Sequence, residues 1–270
     1  MILYFSATGN SLAAARRIAR ENGDRLYDLG AGLKAGQRKV AVRQGEDLGF
    51  VFPVYRWSTP AAVDRFVRGV TFLTPDGAPF KPGYCYCVIT YGYFPGDEVR
   101  YFARELRASC GIELDAAFAV PSVENCIYVS NPPDKARAAA KLAKAEPRME
   151  EVARAVAARR RGARAQRNPV GVLLSKVTGT QDKPRSTKPF NVLADRCVGC
   201  GTCVEACPTN SIRLEGGRPA WSGDACSECL ACIHRCPREA TQYGKISLKR
   251  NRYLHPELAR EAGEPAGSQV

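Results

Sequence analysis

Hydrophobic and polar positions alternate in blocks along the first 160 residues. Short apolar runs occur at residues 2–5 (ILYF), 25–29 (RLYDL), 46–55 (EDLGFVFPVY), 83–92 (GYCYCVITYG) and 112–121 (IELDAAFAVP). Each predicts a strand, and their near-continuous apolar character predicts strands buried on both faces. Helical spacing fills the intervals. Residues 10–22 place Leu12, Ala15 and Ile18 on one side, residues 60–70 begin with Pro60, and residues 96–109 form a third segment. The expected fold class is therefore α/β, with a five-stranded parallel sheet covered by helices.

The pattern then changes. Residues 133–161 predict one long helix, because Ala138, Leu142, Ala145, Met149, Val152 and Val156 keep an unbroken seam of three- and four-residue steps. Pro147 removes one backbone donor inside it, so a kink is expected there. Residues 162–189 are rich in Gly, Pro, Ser, Thr and Lys and predict a linker. Residues 190–248 hold a cysteine-rich region, and residues 249–270 predict a flexible tail. The expected organisation is thus 1–161, 162–189, 190–248 and 249–270.

The 270 residues carry 40 Lys and Arg against 27 Asp and Glu, a formal net charge of +13. Eleven basic and only three acidic residues lie between Lys135 and Arg167. Such a stretch reads first as a solvated helix face, and second as a docking surface for an acidic redox partner. It lacks the interleaved aromatics and motifs of nucleic-acid binding, so no nucleic-acid partner is expected. No apolar run approaches the ~18 residues that a bilayer span needs, so no membrane insertion is expected. The opening MILYFSATGN has no basic region before its apolar residues and does not resemble a secretory leader. A cytoplasmic location follows as the expectation.

Twelve cysteines in such a chain point to metal or redox chemistry rather than disulfides. Eight of them form two copies of Cys-x2-Cys-x2-Cys-x3-Cys-Pro, at 197–208 (CVGCGTCVEACP) and 226–237 (CSECLACIHRCP), offset by 29 residues. This is the bacterial ligand run for iron–sulfur clusters, in which the fourth cysteine of each run serves the other cluster. One [4Fe–4S] cluster is then expected on Cys197, Cys200, Cys203 and Cys236, and the second on Cys226, Cys229, Cys232 and Cys207. Gly199 and Gly201 ease the wrapping of the loop, and Pro208 and Pro237 end each turn. Structural zinc favours two ligand pairs rather than a triplet plus one, twice over, and is the weaker reading. Residues 211–221 predict a hairpin over Gly216–Gly217. His234 and Glu228 inside the second run are expected at the surface. Cys85, Cys87 and Cys110 read as small buried hydrophobes.

The segment YFSATGNS (4–11) links the first strand to the first helix. Ser6, Thr8, Asn10 and Ser11 offer short donors at a helix N-terminus, and Ala7 and Gly9 leave the backbone bare, as a phosphate group requires. No Lys or Arg lies in the loop, so neutral donors would hold the anion. No Gly-Lys-Ser/Thr follows, which excludes a Walker motif. GAGLKA (30–35) superficially fits a dinucleotide fingerprint but lacks a following helical pattern and a suitably placed acid, and is expected to be a surface loop.

With FSATGNS in place of a flavin phosphate loop, and with FPVYRWSTP (52–60), TYGYFPG (90–96) and ENCIYVSNPPD (124–134) in place of the loops around a flavin ring, residues 1 to about 160 resemble a flavodoxin domain. The chain to about residue 248 resembles the flavodoxin–ferredoxin fusion proteins of anaerobic prokaryotes. That resemblance implies a flavodoxin-like five-stranded parallel sheet followed by a small α+β dicluster ferredoxin domain, with FMN and two [4Fe–4S] clusters as cofactors. It implies FMN contacts from Ser6, Ala7, Thr8, Gly9, Asn10, Ser11, Pro53, Tyr55, Trp57, Thr90, Tyr91, Gly92 and Asn125. Relatives tend to carry tyrosine where this chain has Cys126. The expected function is electron transfer between FMN, the clusters and protein redox partners, with no residue assigned to catalysis. The alternative is a flavin-dependent reductase of a small organic substrate, for which Tyr55, Tyr91 and Tyr93 are the available proton donors.

Overall fold

The computed structural model describes residues 1–178, 185–222, 225–261 and 263. The first part of the chain runs β1 (Ile2–Tyr4), α1 (Asn10–Asn22), β2 (Leu26–Asp28), α2 (Leu29–Lys34), β3 (Lys39–Ala41), β4 (Leu48–Pro53), α3 (Ala61–Gly69), β5 (Thr71–Leu73), β6 (Cys85–Tyr91), α4 (Glu98–Cys110), β7 (Ala116–Pro121) and α5 (Lys135–Ala157). Five strands pair in parallel in the order β2-β1-β4-β6-β7. Counted along the sheet this is 2-1-3-4-5, a doubly wound order whose switch point lies between β1 and β4. The five strands match the five apolar runs, with β7 starting four residues later than the run.

Alternate residues of these strands enter two separate cores. On one face Leu3, Phe50, Phe52, Cys85, Cys87 and Ile89 pack against α3 and α4. Phe102 is fully buried there, its ring 5.0 Å from Phe50 and 4.8 Å from Phe52. On the other face Ile2, Val51, Tyr86 and Val88 meet Ala15 and Ile18 of α1, and Met149, Val152 and Val156 of α5. The seam read along α5 is thus its buried side, and the helix continues through Pro147. Pro147 is exposed, and its ring denies the helix one hydrogen bond. Pro147→Ala is expected to stabilise the sheet domain by about 1–3 kcal/mol, read as a higher urea midpoint.

Three expectations about the fold are corrected, and one strand pair is added. Residues 29–34 are a helix rather than a surface loop. Asp28 caps it by accepting from the Ala31 N–H at 2.9 Å, and Gly30 and Gly32 are buried. A Cβ on Gly32 would lie 2.9 Å from Tyr27 Cζ, so this glycine admits an aromatic ring rather than a phosphate. Second, β3 and β5 form a small parallel pair of their own, too short to show as apolar runs. Third, the segment 162–189 contains α6 (Pro169–Thr178), opened by Asn168, whose Oδ1 accepts from Val170 N at 2.9 Å. Its residues 179–184 lie outside the described residues. Fourth, the described part of 249–270 is docked rather than loose: Tyr253 is 4% exposed, and the helix Pro256–Glu261 lies against α1 through Arg16–Glu257 and Arg16–Glu261 ion pairs at 3.5 and 2.5 Å.

The cysteine-rich region is built from β8 (Phe190–Val192), α7 (Thr202–Glu205), β9 (Ile212–Glu215), β10 (Arg218–Trp221), α8 (Ala231–His234) and β11 (Thr241–Tyr243), followed by a 3-10 turn at Ile246–Lys249. Strands β9 and β10 are the expected hairpin, turning at Gly216 and Gly217, both at positive φ. Strands β8 and β11 pair antiparallel. Phe190, Ile212, Leu230 and Ile233 form its small core together with cysteines. No helix among the described residues is long and apolar enough to cross a membrane.

Candidate functional site

A cleft opens at the carboxyl ends of β1, β4, β6 and β7, where an open parallel sheet presents its loops. It encloses about 1200 Å³, open mouth included. Ser6, Ala7, Thr8, Asn10 and Ser11 line it from the first loop, Pro53, Tyr55 and Trp57 from the second, Thr90, Tyr91 and Gly92 from the third, and Asn125 from the fourth. Gly9 is the one residue of the expected set that does not line it. It stands at φ 100° as the N-cap of α1 and faces His255 and Leu258 instead.

The loops are tied to one another. Asn125 Nδ2 donates to Thr8 Oγ1 at 2.5 Å, Ser11 and Thr90 share a buried hydroxyl pair at 2.8 Å, and Asn10 Nδ2 donates to Val123 O at 2.9 Å. No side chain caps the N-terminus of α1, which leaves its first N–H groups and its dipole available to an anion. A Cβ on Gly92 would lie 2.6 Å from the Glu124 Cα, so this glycine allows the third and fourth loops to touch. Trp57 stacks on Phe94 at 5.9 Å, and both Arg56 and Trp57 hold positive φ, 50° and 57°. Two adjacent non-glycine residues in that region mark a strained wall. Helix α6 supports it from behind, with Ser175 Oγ donating to Trp57 O at 2.6 Å.

Beneath the third loop, Gly96 N donates to Glu98 Oε2 at 2.7 Å. Burial raises the Glu98 carboxyl from 4.5 to about 7. The folded state therefore holds this proton more tightly than the unfolded chain, so stability falls as pH rises from about 4.5 to about 7 and the full cost persists above. That cost is on the order of a few kcal/mol. Glu98→Gln is expected to remove this slope while keeping the Gly96 contact; urea midpoints measured from pH 5 to 8 that run parallel for both proteins would refute it.

The cleft also has a wall that the first 161 residues do not supply. Ser227, Glu228, Cys229 and Leu230 of the second cysteine run line it. Glu228 pairs with Arg56 at 3.0 Å and its side chain is 9% exposed, not at the surface. His234, also expected at the surface, is 2% exposed. Its Nδ1 accepts from Tyr253 N at 3.2 Å, so its Nε2 carries the proton and donates to Asn125 O at 2.8 Å. Burial lowers its pKa to about 4. Arg235 Nε and Nη2 donate to Ala7 O and Ser6 O at 2.8 and 3.1 Å. Apart from the Tyr253–His234 bond, these contacts span more than a hundred residues and leave no local mark in the sequence. Cys126 lines the cleft, and burial raises its thiol, so no reactive thiolate is favoured.

The cysteines enclose two further cavities. Cys197, Cys200, Cys203 and Cys236 line one, and Cys207, Cys226, Cys229 and Cys232 line the other. Each therefore combines three sulfurs of one run with the fourth of the other. Among the described residues no three Cys, His, Asp or Glu converge as ligands of a single ion; the sulfurs surround a space instead. Backbone N–H groups of Ser211, Glu228 and Ala240 donate to the sulfurs of Cys207, Cys226 and Cys236 at 3.2–3.3 Å, the kind of contact that orients ligating sulfurs. Residues 190–244 match the family described as 4Fe-4S dicluster domain. The chain carries a dicluster domain of iron–sulfur type.

A 32-residue stretch is also 50% identical to an uncharacterized polyferredoxin-like protein of Methanocaldococcus jannaschii, covering 12% of this chain and 14% of that relative. The dicluster domain points to electron transfer, and ferredoxin-like proteins typically pass electrons to protein partners. The acidic-partner reading gains little from the basic stretch. Six of its eleven cations, Arg137, Lys141, Arg148, Arg159, Arg161 and Arg167, already pair with carboxylates of this chain.

Proposed function

We propose that the chain is an intramolecular electron relay in which the cleft holds FMN and the dicluster domain carries electrons between it and a protein partner. The observation that carries this reading is the shared wall: the loop suited to a phosphate and the ligand Cys229 line the same cleft. When bound, FMN exchanges electrons singly or in pairs while each cluster takes one, so two clusters beside one flavin suit the splitting or merging of a pair. Ser6, Thr8 and Ser11, with the uncapped start of α1, would hold the phosphate. Tyr55, Trp57 and Tyr91 would flank the ring. The 2-1-3-4-5 sheet supports a flavodoxin-like fold for this part.

The cluster of Cys207, Cys226, Cys229 and Cys232 would then be the one next to the flavin, and that of Cys197, Cys200, Cys203 and Cys236 the outer one. Cys200 is exposed and Val198 beside it is 63% exposed, which suits a port for a partner. The reductase reading is less favoured: burial raises Tyr55 far above its ordinary value and raises Tyr91 as well, making both poor proton donors. The test is anaerobic purification with cofactor analysis. About eight irons and one FMN per chain are expected, with flavin reduction following cluster reduction in the stopped flow. Protein with intact clusters and no FMN would overturn the proposal.

A further inference from the structure

We propose that the dicluster domain and the segment after it form a clasp on the back of the loop 6–11, so that retention of the flavin phosphate depends on their docking. This rests on the FMN reading above and concerns what shapes that site. One side of the loop lines the cleft; the other is gripped from two directions. Arg235 takes the carbonyls of Ser6 and Ala7. The C-terminal segment takes the next carbonyl, His255 N donating to Thr8 O at 2.7 Å, and Tyr253 Oη donates to Asn10 Oδ1 at 2.7 Å.

In a planar trans peptide the C=O and the following N–H point in opposite directions. Fixing the carbonyls of Ser6 and Ala7 toward Arg235 therefore turns the N–H groups of Ala7 and Thr8 the other way. Those N–H groups are the donors a phosphate needs, and Ala7 and Thr8 both line the cleft. Arg235 also supplies a cation to a loop that has no Lys or Arg of its own. It lies between His234 and Cys236, so its position is set by the turn that carries a cluster ligand.

The grip is close. A Cβ on Gly9 would lie 2.6 Å from His255 Cβ and 3.0 Å from Leu258 Cβ. The segment is anchored on both sides of this point. Arg250 Nη1 donates to Ile127 O at 2.5 Å and Asn251 N to Asn131 Oδ1 at 2.7 Å; beyond it Glu257 and Glu261 hold Arg16. His234 joins the same assembly, linking Tyr253 N to Asn125 O. Coupling between docking and phosphate binding is reciprocal, so bound FMN holds the clasp shut.

The test compares FMN with riboflavin, which lacks the phosphate. Iron-replete, flavin-stripped full-length protein, Arg235→Ala, Arg235→Lys, Tyr253→Phe and a chain ending at Lys249 are titrated anaerobically, with flavin fluorescence reporting Kd. Loss of one hydrogen bond predicts a roughly threefold to tenfold weaker Kd for FMN in Tyr253→Phe, and the shortened chain should weaken it at least about tenfold. Arg235→Lys should recover part of what Arg235→Ala loses. Riboflavin affinity should stay within about twofold throughout. FMN affinity unchanged in iron-replete Tyr253→Phe and Arg235→Ala, or equal losses for both flavins, would overturn the clasp; these two variants decide the matter if the shortened chain loses iron. Wild-type protein that binds riboflavin and FMN equally weakly would instead remove the FMN reading itself, and the clasp with it.

Discussion

Cys207→Ala is expected to abolish the cluster whose other ligands are Cys226, Cys229 and Cys232, and to leave that of its own run in place. Cys207 belongs to the first run in sequence but lines the second cavity. Cys207 is 7% exposed and its Sγ accepts from Ser211 N at 3.3 Å, so nothing from solvent replaces it easily. Iron should fall from about eight to about four per chain, and electron paramagnetic resonance of the reduced protein should lose the magnetic interaction between two clusters. In the proposed relay the affected cluster is the one beside the cleft, so flavin reduction through the dicluster domain should slow by orders of magnitude. Cys236→Ala is the mirror experiment: it should remove the outer cluster and spare the inner one. Loss of the first run's cluster in Cys207→Ala, with the second intact, would mean that each run ligates only its own cluster.

The second large effect is expected at Gly9→Ala. A non-glycine residue at φ 100° costs about 1–2 kcal/mol in backbone strain. The new Cβ would also overlap His255 Cβ at 2.6 Å, an atom next to the backbone that cannot swing aside. Either α1 shifts or the segment 253–261 leaves its seat. The expected outcome is a total loss of about 2–4 kcal/mol in stability, with faster proteolytic cleavage between Arg250 and Arg260. A variant with wild-type urea midpoint and wild-type resistance to trypsin would show that the loop and the C-terminal segment are not in tight contact.

Much of this protein was legible along the chain. Five apolar runs correspond to five sheet strands, and the α5 seam lies against them, because a continuous apolar run marks a strand buried on both faces and a 3.6-residue period a helix buried on one. The ligand spacing named the type of centre, and the cavities place the fourth cysteine of each run beside the three of the other. The loop 4–11 was legible because small residues before a helix leave its N–H groups bare. Misreadings occurred where composition was asked to report on packing. Gly30 and Gly32 looked like a loop but allow Tyr27 to pack on a helix, and the Pro- and Gly-rich segment around α6 looked like a connector but buttresses Trp57.

Local patterning thus decided the elements and the class of metal centre, because those depend on neighbours a few residues apart. Packing between distant segments decided the rest: that Glu228 and Cys229 form a wall of the cleft, that His234 is buried with its Nε2 protonated, and that Arg235 reaches Ala7 across 228 positions. A hydrogen bond of that span needs only one donor and one carbonyl, types present everywhere in a chain, so it leaves no signature until the two surfaces meet.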